Sequence, residues 1–294
     1  MMKLFAPEYY KDFKCIADKC THSCCVGWEI GVDGDTLLRY ENLPEEERKE
    51  ILSHIDGGVI RLCDDGRCPF LDGCGLCRII SGYGEDFTSV ICREHPRFYN
   101  FTGGRAEVGL GASCEEAARM ILSSDAYDSI VEIGEREEEV TEAFDPTADR
   151  SFIYSVLKDR ERPLSERMIR IRRKYSLPEE LFSEESVRRR LSDLEYMREE
   201  DRETLALGSY IGTFGDSLYS ERFFAYLVYR HLSGACSFEN LRARLCLCIM
   251  LSMVFESILT IKLDKIVAAR LISEEIEYSE DNIDSLIFDF ECEL

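Results

Sequence analysis

Apolar residues recur at helical spacing through the second half of the chain. The segments with this pattern are RSFIYSVLKDRERPLSERMIRIRRKYSL, EESVRRRLSDLEYM, SERFFAYLVYRHLSG, NLRARLCLCIMLSMVFESILTIKLDKIVAARLIS and SEDNIDSLIFDFE. Apolar positions three and four residues apart form one face of an α-helix. The pattern therefore predicts an all-α helical bundle of about five to seven helices over residues 150–294.

The most apolar run of the chain is LCLCIMLSMVF, residues 245–255. A transmembrane helix needs about 20 consecutive apolar residues, and this run is shorter and is followed by Glu256. We therefore expect a helix that is buried in a protein core.

Turn-forming residues interrupt the first 114 residues, in segments such as GVDGD, HIDGG, LDGCGLC and SGYG. The exception is residues 36–55, which predict a helix or a pair of helices broken at Pro44. Another helix is predicted to begin in SCEEAARMIL, with Ser113 as its N-cap. A region with so few long elements cannot build a large core, so we expect bound metal to supply much of its folding free energy.

These patterns predict a mainly α protein with two domains. The first, residues 1–132, is expected to be an irregular, cysteine-rich domain with short helices that binds metal or an iron–sulfur cluster. Residues 133–149 contain the acidic stretch EREEEVTEAFDPTAD and are expected to form a linker. Residues 150–294 are expected to form the helical domain.

The formal net charge is −22. This charge argues against nucleic acid as a partner, because phosphate binding requires a basic surface, and it favours a basic protein partner. The N-terminal segment MMKLFAPEYYKDF lacks the apolar stretch and cleavage site of a signal peptide. We therefore expect a cytoplasmic protein that binds neither nucleic acid nor a membrane.

Ten of the 14 cysteines lie in the first 114 residues, four of them within CIADKCTHSCC. Thiols stay reduced in the cytosol, so such a concentration indicates metal or redox chemistry rather than disulfides. Zinc and iron–sulfur centres both use four thiolates, and the spacing leaves open which metal is bound and whether there are one or two centres. Adjacent side chains of an extended chain point to opposite sides, so Cys24 and Cys25 are not expected to bind one ion together.

The cysteines fall into a longer order of motifs. The motifs are F13-x-C15-x4-C20-x3-C24-C25-x2-W28-x4-D33, R67-C-P-F-L71, G75-L-C77, C92-x3-P96-R97, L110-x2-S113-C114-x2-A117-A118-R119, R150-x10-R162-P-L-x2-R167 and A269-R-L-x-S273-x-E275-I-E277-Y-S279-x2-N282. This order closely resembles the flagellin lysine N-methylase family. More distantly, the cysteine region is similar to small zinc- or iron-chelating domains.

The resemblance implies a bacterial protein-lysine N-methyltransferase that uses S-adenosylmethionine, acts on flagellin and carries an iron–sulfur centre, of the 4Fe-4S type, with zinc as the alternative. The metal ligands that it implies are Cys15, Cys20, Cys24, Cys25, Cys68, Cys77, Cys92 and Cys114. Cys63 and Cys74 lie outside the family pattern. The chain departs from that pattern at His95, Glu115 and Tyr278.

Methylation of a lysine requires a neutral amine, and the free side chain has a pKa of about 10.4, so a base or desolvation is needed. By neighbourhood to the cysteines, the candidate bases are Asp33, Tyr99 and Glu107. A donor carboxylate would suit Arg97 and Arg119, and a donor ring would suit Trp28, although packing and ordinary ion pairs are the simpler interpretation. The chain has no acidic-G-x-G-x-G motif of a doubly wound methyltransferase.

Two other classes of function remain open on the sequence. One is a zinc-binding interaction module without catalysis, in which every thiolate has a structural role. The other is an iron–sulfur redox protein. For a methyltransferase, the expected partner is a protein with exposed lysines, which the resemblance implies to be flagellin.

Overall fold

The computed structural model describes residues 1–102, 104–137, 144–210, 214–215 and 217–294. The strands are β1 Met2–Pro7, β2 Ile30–Gly31, β3 Ile55–Asp56, β4 Val59–Ile60, β5 Arg97–Thr102, β6 Arg105–Leu110 and β7 Ile130–Arg136. The helices are α1 Gly34–Glu41, α2 Glu45–Ser53, α3 Arg78–Tyr83, α4 Val90–Glu94, α5 Glu115–Ser123, α6 Thr147–Leu157, α7 Leu164–Lys174, α8 Glu184–Ser192, α9 Glu199–Ala206, α10 Leu218–Leu232, α11 Phe238–Thr260, α12 Lys265–Ile272 and α13 Glu280–Glu293. The mainly α class is confirmed.

The chain divides into two compact units. The cysteine unit is Lys14–Pro96, and the helical unit combines Met1–Phe13 with Arg97–Leu294. The boundaries differ from the expected ones, because the region 1–132 contributes to both units. The physical reason is that β1, at the start of the chain, pairs with strands that follow the cysteine unit.

Four strands of the helical unit form a sheet with the order β5-β6-β1-β7. β1 runs parallel to β6 and antiparallel to β7, with Leu4 opposite Ala106 in the first pair. β5 and β6 are antiparallel, with Arg97 opposite Leu110. This sheet was not among the sequence expectations.

The expected linker over residues 133–149 is replaced at both ends by regular structure. Its first four residues belong to β7, and α6 begins at Thr147. Residues 138–143 lie outside the described residues. β7 is an edge strand with mostly exposed side chains, so its charged sequence carries no apolar alternation that would have identified it.

The described part of residues 144–294 contains eight α-helices, α6 to α13, rather than five to seven. Pro163 separates α6 from α7, and Pro178 lies between α7 and α8. Proline cannot continue a helix, so the first predicted segment was divided at Pro163. The fourth predicted segment was divided into α11 and α12, and α9 lies outside the five predicted segments. The N-caps of α11, α12 and α13 are Ser237, Asp264 and Ser279, and the side chain of each accepts a hydrogen bond from a backbone N–H of its helix.

Helix α11 is the centre of the helical unit. It packs against α10, α12 and α13, and the ring of Phe255 stacks on that of Phe223 with centroids 4.4 Å apart. Within the described residues, α11 has the length and apolar composition of a membrane span, but 78% of that apolar window is buried inside the protein. The expectation of a buried helix at residues 245–255 is confirmed.

The cysteine unit is small and has few long elements, as expected. Residues 36–55 form a helix pair, α1 and α2, and Pro44 is the N-cap of α2. Its short sheet has the order β2-β4-β3. The buried cluster of this unit consists of Ile30, Tyr40, Ile51, Ile60, Cys68, Phe70 and Ile79.

Candidate metal centre

Two short backbone contacts bring separate cysteine segments together in the cysteine unit. An isolated β-bridge joins Val26 to Arg67, and the backbone N–H of Cys68 donates to the carbonyl oxygen of Cys25 at 2.8 Å. Cys25 and Cys68 therefore lie on adjacent strands of chain although 43 positions separate them in the sequence.

Cys77 and Cys92 are placed by the two short helices that follow. Cys77 is the N-cap of α3 and forms an isolated β-bridge with Leu71. Cys92 lies in α4, where its Sγ accepts a hydrogen bond of 3.2 Å from the hydroxyl of Ser89. Cys25 and Cys77 pack against the buried cluster that contains Cys68.

Cys25, Cys68, Cys77 and Cys92 form what we term the four-thiol set. Burial, and then the charges of the other three thiolates, together raise the pKa of Cys68 to about 12. The pKa values of Cys77 and Cys92 are also raised, by burial first and then by Cys25. The four side chains therefore lie close enough to interact electrostatically.

The pKa of Cys25 moves in the opposite direction. A hydrogen bond with the thiol of Cys24 lowers it to about 6, which outweighs burial, and the Ser23 hydroxyl contributes. A thiolate is the form that binds metal. Cys25 is thus the member of the set that is prepared to be ionised near neutral pH.

The four-thiol set provides the sulfur donors that a thiolate-bound metal requires, but its thiols are not grouped as closely as metal ligands are. Over the described ranges, no group of three or more His, Cys, Asp or Glu side chains is arranged so that it could hold a metal ion. When ionised, the four thiolates repel one another. A bound cation attracts each of them and offsets this repulsion, so the charge of the set suits a cationic centre.

The other cysteines of the expected ligand set have different surroundings. Cys15 accepts a hydrogen bond from the backbone N–H of Ala17 at 3.4 Å, and the thiol of Cys20 donates to the carbonyl oxygen of His22 at 2.8 Å. Cys114 belongs to the helical unit, where it is the N-cap of α5 in place of the expected Ser113. Cys63 and Cys74, outside the family pattern, are exposed.

Among the candidate bases, Asp33 is engaged as a helix cap. Its carboxylate accepts hydrogen bonds from the backbone N–H and the hydroxyl of Thr36 at 2.9 and 2.8 Å, and from the backbone N–H of Val90 at 2.8 Å. Burial raises the pKa of Asp33, but these bonds outweigh it and lower the pKa to about 2. A carboxylate that weakly basic is poorly matched to proton abstraction near neutral pH.

Glu107 is engaged in a buried ion pair. Its two oxygens accept hydrogen bonds of 2.6 Å from Arg150, and the Ser233 hydroxyl donates at 2.7 Å. Burial raises the pKa of Glu107, and the hydrogen bonds and charges of Arg150 and Arg105 outweigh it, so the pKa is lowered. The third candidate, Tyr99, has the guanidinium of Arg136 4.1 Å from its ring centroid.

The donor-binding candidates also have partners within the chain. Arg97 Nε donates to the Tyr10 hydroxyl at 3.0 Å, and Arg119 forms an ion pair with Glu116. Trp28 packs against the buried cluster of the cysteine unit, the same cluster that Cys25 and Cys77 contact. These contacts favour the simpler interpretation, in which Trp28 has a packing role and the two arginines have ordinary polar partners.

A buried polar network in the helical unit was not among the sequence expectations, although Glu275 and Glu277 belong to the C-terminal motif of the resemblance. It includes Arg230, His231 and the π-helical turn Ser273–Glu277, whose three glutamates are buried. The signal was present in the sequence, since the ISEEIEYS segment places charged residues where apolar ones are needed for a core helix. A π-helical turn is rare and frequently marks a functional site.

Comparison with known proteins gives limited but specific similarity. No family model and no solved structure matches the chain. The chain is 27% identical over 127 residues to the flagellar biosynthetic protein FliU of Salmonella muenchen, a match that covers 40% of this chain and 75% of FliU. It is 28% identical over 127 residues to the lysine-N-methylases of Salmonella choleraesuis and Salmonella typhimurium. These two matches cover 40% of this chain, and the chain therefore spans about a third, 32%, of the length of the two methylases that it resembles.

Proposed function

We propose that this protein is a protein-lysine N-methyltransferase of the bacterial cytoplasm. It transfers a methyl group from S-adenosylmethionine to lysines of a flagellin-type protein and holds an iron–sulfur centre on cysteine thiolates. The observation that carries the proposal is the 28% identity over 127 residues to two lysine-N-methylases. The four-thiol set supports the metal centre. The formal net charge of −22 is compatible with a partner that presents lysines.

Cys25, Cys68, Cys77 and Cys92 are the residues that would hold the centre, since a 4Fe-4S cluster takes four cysteine ligands. When bound, such a centre supplies positive charge to the thiolates and joins four segments of a unit whose apolar cluster is small. Cys15, Cys20 and Cys24 of the cysteine unit and Cys114 of the helical unit then remain for supporting roles.

The reaction requires an unprotonated lysine amine. Its nitrogen lone pair forms the new N–CH3 bond while the S–CH3 bond of the sulfonium donor breaks, and the electron pair of the broken bond stays on sulfur as a neutral thioether. The proton that the lysine loses goes to a base or to water. Because Asp33 and Glu107 are held ionised by structural contacts, Tyr99 is the first of the three candidates to test as that base.

The first experiment measures iron, acid-labile sulfide and zinc in protein purified without oxygen, together with the visible spectrum. We expect about four iron and four sulfide per chain. Cys68→Ala and Cys77→Ala should lose both, whereas Cys63→Ala and Cys74→Ala are matched controls, since these thiols are exposed in the same unit and should retain both. Stoichiometric zinc without iron or sulfide would overturn the cluster and support the zinc-binding module.

The second experiment tests the transfer itself. Labelled S-adenosylmethionine is incubated with the cluster-loaded protein and flagellin, and lysine-containing peptides are analysed by mass spectrometry. We expect a mass increase of a methyl group on lysine that is lost in the Cys68→Ala variant. Reversible reduction of the cluster without any methylated lysine would support an iron–sulfur redox protein instead.

A further inference from the structure

A cavity of about 240 Å³ lies between α8 and α9 in the helical unit. Leu191 of α8 and Leu205 of α9 form part of its wall, and both are buried. Tyr196 and Tyr210 also line it. Protein interiors leave few voids larger than a water molecule, and about 10–15 Å³ of such space is enough for one water. This cavity is therefore large enough for a molecule other than water.

The two tyrosines of the wall have hydroxyls that are already bonded within the chain. The Tyr196 hydroxyl donates to the carbonyl oxygen of Leu191 at 2.7 Å, and the Tyr210 hydroxyl donates to that of Leu205. Both hydroxyl protons are therefore used. What the tyrosines and leucines offer to an occupant is mainly aromatic and aliphatic surface, which favours a flat, apolar body.

Two guanidinium groups lie at the same cavity, and they differ in their partners. Arg188 donates to Glu184 Oε1 at 2.8 and 3.1 Å and to the carbonyl oxygen of Ala206 at 2.9 Å, so its charge is balanced and it joins α8 to the end of α9. The Arg202 side chain is 51% exposed, and its contacts with the Glu199 carboxylate are long, at 3.4 and 3.5 Å. Arg202 thus retains donors for an anion, and a guanidinium matches a carboxylate with two parallel hydrogen bonds.

Ion pairs with α13 hold α8 in place. Arg190, whose side chain is 1% exposed, donates through Nη2 to Glu293 Oε2 at 2.8 Å. The neighbouring Arg189 binds both carboxylate oxygens of Asp289, at 3.1 and 3.0 Å. Hydrogen bonds of this kind are directional, so a shift of α8 toward the cavity would break them.

A different element holds the start of α9. The backbone N–H of Met197 donates to Glu275 Oε2 at 2.7 Å, and Arg198 Nη2 donates to Glu274 Oε2 at 2.8 Å. Both glutamates belong to the π-helical turn and are buried. Leu205 is the one buried residue of α9, so apolar packing does little to draw this helix inward. The two walls are therefore held apart by polar contacts with separate elements, and the cavity is part of the fold.

We propose that the cavity between α8 and α9 is a binding site for a small aromatic anion, whose ring packs between the apolar walls and whose acidic group pairs with Arg202. A volume of about 240 Å³ is below the roughly 300–1,000 Å³ of sites for drug-sized ligands, so the site suits one or two fused rings with a single acidic group. The site lies within the helical unit and uses none of the cysteines. The inference therefore goes beyond methyl transfer, and its test is independent of iron and sulfide content.

The test titrates the full-length protein with naphthoate, an aromatic carboxylate, and with naphthamide, its uncharged analogue, by isothermal titration calorimetry. We expect saturable binding of one naphthoate per chain. Naphthamide should bind about tenfold more weakly, because only the carboxylate forms charge-assisted hydrogen bonds with Arg202. Failure of naphthoate to saturate the protein at about 10 mM, or equal affinity for the two probes, would overturn the inference.

Two variants locate the site. Arg202→Gln should weaken naphthoate binding about tenfold and leave naphthamide binding unchanged, because it removes the charge but not the apolar walls. Arg173→Gln, at an exposed position of α7 outside the cavity, is the matched control. Ala206→Phe adds a ring at the cavity wall and should weaken both probes about tenfold or more, whereas Glu203→Phe adds the same ring at an exposed position of α9 outside the wall.

Hydrogen exchange gives a readout that needs no variant. Saturating naphthoate should slow exchange in α8 and α9 and leave α7 unchanged. Circular dichroism shows whether each variant is folded, so a loss of binding through unfolding is recognised. Naphthoate binding that is unchanged in both Arg202→Gln and Ala206→Phe, or exchange in α8 and α9 that ignores the probe, would place the probe elsewhere and overturn the inference.

Discussion

Arg150 binds both carboxylate oxygens of Glu107, with two hydrogen bonds of 2.6 Å, and both side chains are almost completely buried, with 3% and 0% of their surface exposed. The pair joins strand β6 to helix α6 in the helical unit. A bidentate arginine–carboxylate pair is among the strongest hydrogen-bonded arrangements in proteins, and it fixes both groups in their ionised forms. A residue that was a candidate base from its position in the sequence is therefore a structural link.

Removal of this carboxylate should destabilise the helical unit. Glu107→Gln leaves the Arg150 charge buried without a counter-charge, so we expect a loss of about 3 kcal/mol in the free energy of unfolding, measured by urea denaturation. The control is Glu132→Gln, which removes an exposed pair with Lys3 and should cost about 0.5 kcal/mol or less. A Glu107→Gln variant with wild-type stability and no methyl transfer would instead indicate a role in the chemistry.

The pair Glu275 and Asp201 should make stability dependent on pH. Burial, and then a hydrogen bond to Asp201, raise the pKa of Glu275 to about 7, above the ordinary value of about 4.3. Between these two values the folded protein holds a proton that the unfolded chain has lost, so stability falls as pH rises from about 4.3 to 7. Above about pH 7 this loss of stability is complete.

The measurement is the urea midpoint at pH 5 and pH 8. Glu275→Gln keeps an oxygen for the Met197 N–H, which now donates to Glu275 Oε2 at 2.7 Å, and it should abolish part of the decrease between the two pH values. Glu200→Gln, at an exposed position on the same helix as Asp201, should retain the wild-type decrease. An identical decrease in all three proteins would contradict the shared proton.

The stacked rings of Phe223 and Phe255 should be a major source of stability in the helical unit. Both side chains are fully buried, so Phe255→Ala leaves a cavity and we expect a loss of about 3–5 kcal/mol. Phe288→Ala, in α13 and 67% exposed, should change stability by only about 0.5 kcal/mol. Thermal unfolding followed by circular dichroism compares the two, and equal effects would contradict the packing.

Removal of the proposed metal should loosen the cysteine unit selectively. Seven buried residues form its apolar cluster, so we expect that the unit depends on the centre for stability. After chelation, hydrogen exchange in α1 and α2 should accelerate, whereas α10 and α11 should remain protected. Equal protection of α1 and α2 before and after chelation would show that thiol ligation contributes nothing to this fold.

The sequence predicts the helical part of the fold well because its signals are local. Apolar periodicity identified the segments that became α10 to α13, and Pro44 divides α1 from α2 as expected. The sheet could not be found in this way, because β1 pairs with strands about a hundred residues later and its register depends on those partners. The charged edge strand β7 was consequently interpreted as a linker.

The sequence indicated the type of candidate site, a cluster of cysteines, but not which cysteines the fold brings together. Spacing could not separate the four-thiol set from the other cysteines, because the bridges of Val26 with Arg67 and Leu71 with Cys77 decide which segments meet. The structural use of Asp33 was accessible from sequence, since Asp33 followed three residues later by Thr36 is a helix-capping pattern. The partners of Glu107 were not, because Arg150 and Ser233 are distant along the chain.

The placement of Lys14–Pro96 between β1 and β5 has a consequence for the order in which the protein is built during synthesis. β1 leaves the ribosome before the cysteine unit, yet its sheet partners β6 and β7 follow only after the whole cysteine unit. Every segment of the cysteine unit, by contrast, is available once residue 96 has emerged. Domains generally fold as units during translation, so the thiols can bind the proposed metal before β1 pairs with β6 and β7.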